Sequence, residues 1–382
     1  MIWWHRSEWV KMRYISLFSG IGGLEGSKNS PDAVCEIDPW CQKVLSRKFS
    51  KAELYPDVRT ATPPPVEVVA GGWPCQDISA AGLRKGLAGE RSGLFFKMLE
   101  LASDVGAHTI IAENVPNLLK IEGGRAFRLV VTALQQAGFT SVAWRTLNAR
   151  EFALPQNRNR IFLVASKFRE LAASLHRPVN QGAVISLTRA SGFYWTAGLQ
   201  GICYSEGYVP ALKIGSSIGV PSPPALYYDD MVRKASADEC LSVQGFPLDQ
   251  FVDIPDKAKF AMAGNAVALP VGTFVMDGVF EAKNPDYITT DLFPTEGIPR
   301  DGVDFGSGTL AVSNKQSELS ANLGSFIDRS INEPLSGRAA RGLLSRLERS
   351  GKPCPKDLLK KLRDLSITPN LLEEASALRS SS

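Results

Sequence analysis

Two residues in this chain are placed where they could do chemistry together. Cys75 lies in Trp73-Pro74-Cys75-Gln76, after the apolar run Val66-Glu67-Val68-Val69-Ala70 and the pair Gly71-Gly72. A buried strand that ends in a tight turn can present such a thiol as a nucleophile. Glu113 lies in Ala112-Glu113-Asn114-Val115, at the close of a second apolar run, Thr109-Ile110-Ile111. A thiol and a carboxylate at the ends of successive strands can meet over one small ring, for attack and for protonation. Taken alone, each also has a plain structural reading. A cysteine after a strand is usually core, and Glu113 would serve as a capping acid ahead of Pro116-Asn117.

A glycine-rich turn, Ser16-Leu17-Phe18-Ser19-Gly20-Ile21-Gly22-Gly23-Leu24-Glu25-Gly26, follows the first apolar run. Glycines let backbone pass close to a ligand, and amides that open a helix favour an anion. The spacing is not the GxGxxG of dinucleotide sites. The next run ends Cys35-Glu36-Ile37-Asp38, and an acid at the end of a second strand is placed to hold ribose hydroxyls. Asp57, after a third break, would reach the exocyclic amine of an adenine.

The elements that must position these residues alternate. Strands are expected at Arg13–Phe18, Ala33–Ile37, Val66–Ala70 and Thr109–Ala112. Helices are expected at Pro39–Phe49, Gly93–Val105 and Gly124–Gln136. Val142–Asn148 and Arg160–Ala165 read as a closing strand pair. Such alternation argues for a parallel sheet wrapped by helices. Residues 180–232 are rich in Gly, Pro, Ser and aromatics and predict short strands and loops. Regular character returns at Ala237–Val243 and Lys257–Phe280. Residues 283–335 are polar and read as a flexible linker. Gly337–Leu365 reads as helical and basic, with nine Lys or Arg and two acids over 334–363.

The chain has 382 residues, which suggests two domains with an appendage. Its formal net charge of +4 permits a nucleic-acid partner without demanding one. Six cysteines without a CxxC pair and three histidines argue against a zinc site, and no metal is expected. A disulfide framework is not expected at this size, so a reducing cytoplasm fits. No apolar run reaches transmembrane length. Residues 1–12 read as an N-terminal arm or as sequence upstream of a start at Met12.

Further motifs stand in order along the chain: Gln156-Asn157-Arg158-Asn159-Arg160, Glu239-Cys240-Leu241 to Gln244-Gly245-Phe246-Pro247, and Gly264-Asn265-Ala266-Val267. With Phe18-to-Gly23, Pro74-Cys75-Gln76 and Glu113-Asn114-Val115, the set resembles the C5-cytosine DNA methyltransferases of bacterial and phage modification systems, over roughly residues 13–282. The resemblance implies an α/β fold, a Rossmann-like, mixed seven-stranded S-adenosylmethionine-dependent methyltransferase sheet with a small irregular target-recognition domain. A helical C-terminal extension lies beyond the match. The implied division is 13–166 catalytic, 167–256 target recognition, 257–282 a return that completes the catalytic domain, 283–335 linker and 336–382 extension.

The resemblance also implies the site. Cys75 would attack carbon 6 of cytosine, Glu113 would contact N3 and the exocyclic amine, Arg160 would hold O2, and Arg158 would brace the loop that carries Cys75. Phe18, Ser19, Gly20, Gly22, Gly23, Leu24, Glu36, Ile37, Asp57, Val58, Pro74, Asn265 and Val267 would hold S-adenosylmethionine. A paired base must leave the stack to reach Cys75. The loop with Gln76, Ser79, Arg84, Lys85 and Arg91 would close over double-stranded DNA, and Lys213 would lie near it. A monomer in the cytoplasm of a bacterial or phage-infected cell is expected, with a cognate restriction endonuclease as a further partner. Two alternatives stay open: the same chemistry on transfer RNA, and a catalytically silent DNA-binding regulator.

Overall fold

The computed structural model describes residues 12–74, 93–179, 190–194, 203–213, 222–281, 292–294, 297–314, 322–351 and 353–367. The expected sheet is formed by β1 (Tyr14–Leu17), β2 (Ala33–Cys35), β3 (Glu53–Tyr55), β4 (Val68–Gly71), β5 (Thr109–Asn114), β6 (Ser141–Asn148) and β8 (Asn159–Ser166), with a two-residue β7 (Gln156–Asn157) before the last. The order is β6-β8-β5-β4-β1-β2-β3. Strands β5 to β3 are parallel neighbours, and β8 runs against both of its own. All the parallel strands therefore end at one edge.

A sheet covered on both faces needs strands that are apolar throughout, and period two sorts their residues. Ile15, Leu17, Val69 and Ile110 enter one core layer with Phe95 and Met98 of helix α2 and Phe127 of α3. Helix α1 spans Pro39–Lys48, α2 Gly93–Asp104 and α3 Arg125–Gln136. Tyr14, Val68, Ala70 and Ile111 enter the opposite layer. There they meet Leu171 and Ala172 of α4 (Arg169–Ala173) and Val271, Val275 and Val279 of a later helix, Leu269–Phe280. Helix α1 starts where its sequence says it should: Asp38 Oδ1 accepts from Cys41 N at 2.9 Å, and Pro39 supplies a fixed φ in the first turn.

A second, antiparallel sheet has the order β10-β9-β12-β13. Its strands are β9 (Ser191–Phe193), β10 (Ser205–Glu206), β12 (Ala225–Tyr228) and β13 (Met231–Lys234), and β11 (Val209–Pro210) lies between them in the chain. Strand β11 pairs in parallel with β7, which stitches this region to the Gln156–Arg160 motif. Helix α5 (Ala237–Ser242) follows, opened by a reciprocal cap between Ser236 and Glu239. Then come α6 (Asp256–Asn265) and α7 (Leu269–Phe280), separated by an extended break over 266–268.

Two stretches depart from the sequence reading. Residues 283–335 are not merely a linker. They contribute β14 (Leu292–Pro294), β15 (Gly302–Asp304) and β16 (Thr309–Val312), and β15 pairs with β6 to extend the main sheet to ten strands. Trp144 Nε1 donates to Pro299 O at 3.0 Å, and Thr146 N to Asp301 Oδ1 at 2.9 Å. Short strands in polar surroundings carry almost no periodic signal, which hides them in the sequence. Secondly, α4 falls in the stretch assigned to target recognition but packs in the large core layer with α7. The C-terminal extension is a hairpin of α8 (Gly337–Ser350) and α9 (Lys356–Ile367), turned at Gly351 with φ 59°. Its leucines 343, 347, 358 and 362 pack on Phe193, Ala225 and Val232 of the smaller sheet, not on the catalytic one.

Candidate active site

The parallel strands bring the glycine loop, Glu36 and Asp57 to one edge. Phe18, Gly20 and Gly22 all have positive φ, so the loop folds back on itself directly after β1. Glu36 clamps it: Oε2 accepts from Gly20 N at 2.7 Å and Oε1 from Asp38 N at 2.9 Å. A Cβ on Gly23 would stand 2.1 Å from Val267 O, so the loop touches the break between α6 and α7 backbone to backbone. Lys48 secures the other side by donating Nζ to Gly22 O, and its ammonium lies over the Phe246 ring. Burial pushes that ammonium down to about 8, with buried Glu25 opposing.

Asp57 stands at the end of β3 with Arg59 Nη2 2.8 Å from its Oδ2. The Arg59 side chain, and then its backbone N–H, hold the carboxyl below the usual carboxylate range. Ile37 and Trp40 expose large apolar surface beside these acids, at 66% and 41%.

The second half of the site lies where β4 and β5 end. Glu113 Oε1 is 3.0 Å from Arg160 Nε on the adjacent strand. Gly72 lies under this carboxylate: a Cβ there would stand 2.9 Å from Glu113 Oε2. Asn114 Nδ2 donates to Trp73 O at 3.0 Å and ties the end of β5 to the chain leaving β4. Burial raises the Glu113 carboxyl above its ordinary value, while Arg160 and Arg158 oppose the shift. The glycine loop, Glu36, Asp57, Pro74, Glu113, Arg160 and Asn265 all line one cavity of about 1330 Å³. One space thus joins an acid-rimmed glycine pocket to a carboxylate–guanidinium pair.

The family model described as C-5 cytosine-specific DNA methylase matches residues 12–187. Type II methyltransferase M2.BsuMI of Bacillus subtilis (strain 168) is 33% identical over 374 residues, covering 88% of this chain and 94% of its own length. The chain belongs to the C-5 cytosine-specific DNA methylase family. It is a DNA cytosine-5 methyltransferase. Type II methyltransferase M.NgoBI of Neisseria gonorrhoeae is 29% identical, over 67% of this chain and 89% of its own. In fold, the chain is similar to the crystal structure of S. pombe Dnmt2 methyltransferase, with a TM-score of 0.52, 16% identity, 72% of this chain covered and 100% of that one.

Within this methylase, Arg158 does not stand at the rim. It is fully buried, donating from Nη2 to Gly264 O and Ala266 O at 2.8 Å each and from Nη1 to Leu212 O at 3.2 Å. Burial lowers its pKa to about 9, and the Arg160 cation adds to that, against Glu113. Gln156 and Gln244 pair at 3.0 Å beside it, so the Gln156–Arg160 and Gln244–Pro247 motifs meet in the interior. Lys213 lines the cavity, with Nζ 4.3 Å from the Tyr194 ring centroid. Ser19, Leu24, Val58 and Val267 also line it. Gly22 is not among the lining residues; it faces Lys48 and Phe49.

Cys75, Gln76, Ser79, Arg84, Lys85 and Arg91 lie outside the described residues. Sequence reading missed Trp40 and Arg59 at the cavity, Lys48 behind the loop, and the buried Arg233–Glu239 pair. Only the capping pattern Ser236-x-x-Glu239 signalled any of these. Among the described residues, no group of three or more His, Cys, Asp or Glu could hold a metal ion. Among them, too, no single helix is long and apolar enough to cross a membrane.

Proposed function

We propose that this enzyme methylates C5 of a cytosine flipped out of duplex DNA at a short specific site, through a covalent Cys75 adduct, with S-adenosylmethionine as donor. The observation that carries this reading is the Glu113–Arg160 pair, 3.0 Å apart, opening into the cavity that holds the glycine loop and Pro74. The donor fits the other end. Acids stand at the ends of β2 and β3, exposed Ile37 and Trp40 offer a flat apolar contact, and glycine backbone walls the pocket. When bound, the donor supplies an electrophilic methyl on a sulfonium.

The chain's own residues then do the following. The Cys75 thiolate forms a bond to ring carbon 6, and the displaced electron pair reaches carbon 5 and N3. Glu113, whose carboxyl burial raises above its ordinary value, donates at N3. Arg160 keeps Glu113 in place and offers its remaining N–H groups to O2. Carbon 5, now an enamine carbon, takes the methyl as its bond to the sulfonium sulfur breaks, which leaves S-adenosylhomocysteine. A base removes the carbon 5 proton, the sulfur–carbon 6 bond breaks to return the thiolate, and N3 gives its proton back to Glu113. Arg158 fixes the Gly264–Ala266 loop against the core, so its role is support of the donor pocket.

The surroundings of the reaction follow from the same reading. Arg84, Lys85 and Arg91 take phosphates in the loop that closes over the base, and 190–234 reads the bases in the groove. The enzyme works as a monomer, as a type II modification methylase beside an endonuclease of the same site. Labelled S-adenosylmethionine incubated with duplex DNA and with matched RNA tests the substrate, and bisulfite sequencing of the DNA reads the position. Label on C5 of one cytosine per site in duplex DNA supports the reading; label on RNA alone would overturn it.

A further inference from the structure

The chain's positive charge is unevenly placed. Residues 334–363 hold nine of the 43 Lys and Arg but only two of the 39 acids. The remainder therefore has 34 cations against 37 acids, a net negative body for an enzyme whose substrate is a polyanion. The hairpin of α8 and α9 supplies the excess.

Its faces are sorted. Leu343, Leu347, Leu358 and Leu362 are buried on the smaller sheet. Arg338, Arg341 and Arg349, at i, i+3 and i+11, form one exposed stripe on α8, and Lys356, Lys360 and Arg363, at i, i+4 and i+7, form another on α9. A merely solvated helix face usually alternates sign, whereas Glu348, Asp357 and Asp364 leave cations in the majority here. Lys361 is paired with Asp230 Oδ2 at 2.7 Å.

The sheet beneath is tied to the active-site cavity through one hydrogen bond. Phe193 on β9 faces the hairpin, while the next residue, Tyr194, accepts from Lys213 N at 3.0 Å, and Lys213 lines the cavity. We infer that the exposed face of the α8–α9 hairpin is a second DNA-contacting surface, which takes backbone phosphates of duplex flanking the target cytosine. This rests on the proposed reading of duplex DNA as substrate. The contacts are non-specific and electrostatic, so they release counterions and steepen the salt dependence of binding.

The test uses the full chain with R338Q/R341Q/R349Q, K356Q/K360Q/R363Q and the sixfold combination. Affinity for a plain duplex is measured across a salt series, alongside methyl transfer at saturating DNA. The log–log salt slope should become shallower by about 0.9 for each phosphate that a variant no longer neutralises. KM for DNA should rise roughly tenfold or more in the sixfold variant, with kcat at saturation unchanged. A wild-type slope in the sixfold variant, or no binding of duplex by the wild type, overturns the inference. If the wild type binds duplex but transfers no methyl to it, the substrate reading fails while the slopes still decide the hairpin.

Discussion

Glu113 and Arg160 meet across two antiparallel neighbours, β5 and β8, with Oε1 of one 3.0 Å from Nε of the other. Gly72 makes room for the second carboxylate oxygen, since any Cβ there would crowd it. A buried carboxylic acid held beside a guanidinium can donate a proton at one ring atom while the guanidinium serves the next.

This geometry predicts a pH limb. Burial raises the Glu113 carboxyl, so the protonated form survives above the usual carboxylate range and is lost as pH rises through the raised value. kcat should fall along that limb. Glu113→Gln cannot titrate, so it should flatten the limb and lower kcat by roughly 10²–10⁴. Single-turnover rates across pH check both; an unchanged limb in Glu113→Gln would assign it to another group.

The close approach at Gly23 predicts an intolerant position. Gly23→Ala would drive a methyl to within 2.1 Å of Val267 O. Separation of the two backbones should cost about 1–3 kcal/mol and raise KM for the donor. At Gly93, which opens α2, a methyl would meet nothing within 4 Å, so Gly93→Ala should be neutral or slightly stabilising. Thermal melts and donor titrations of the two variants separate these outcomes.

On the proposed reading, Arg59 competes with the methyl donor for Asp57. Its guanidinium holds the carboxylate at 2.8 Å, in an exposed pair worth only about 0–1 kcal/mol to stability. Arg59→Ala should leave Tm almost unchanged and lower KM for the donor. Asp57→Ala should raise that KM several-fold. Equal effects of the two substitutions would count against Asp57 as a donor contact.

Arg233 and Glu239 form a buried bidentate pair at 2.8 and 2.6 Å, which also receives Asp328 N at 2.8 Å. Removal of either partner should cost about 3–5 kcal/mol, because a charge is left unpaired in the interior. Arg233→Met with Glu239→Leu should lose less than either single change. Urea denaturation of the three variants measures the coupling directly.

Much of this site is legible in the sequence because chemistry sits at strand ends. Glu113, the glycine loop and Glu36 each follow an apolar run, and parallel topology gathers such ends at one edge. The roles of Glu36 and Arg158 are less legible. Glu36 spends both oxygens on backbone amides, and Arg158 serves carbonyls from three distant residues. Those partners are set by tertiary packing, which leaves no local spacing to read. Gly302–Asp304 and Thr309–Val312 are hidden for another reason: strands of three and four residues are too short for an alternating pattern to stand out. The hairpin reads as helical and basic, but periodicity shows only that a helix has an apolar face, never which surface covers it.

The proposed mechanism turns on a covalent bond from Cys75 to carbon 6 of cytosine. Duplex DNA carrying 5-fluorocytosine at the target position, incubated with enzyme and S-adenosylmethionine, tests it most directly. The fluorine cannot leave as a proton does, so the adduct should persist through denaturation. Peptide mass mapping should place the DNA on Cys75, and Cys75→Ser should trap none. Absence of a trapped complex on DNA that the wild type binds, or an adduct mapped to another residue, would contradict the account.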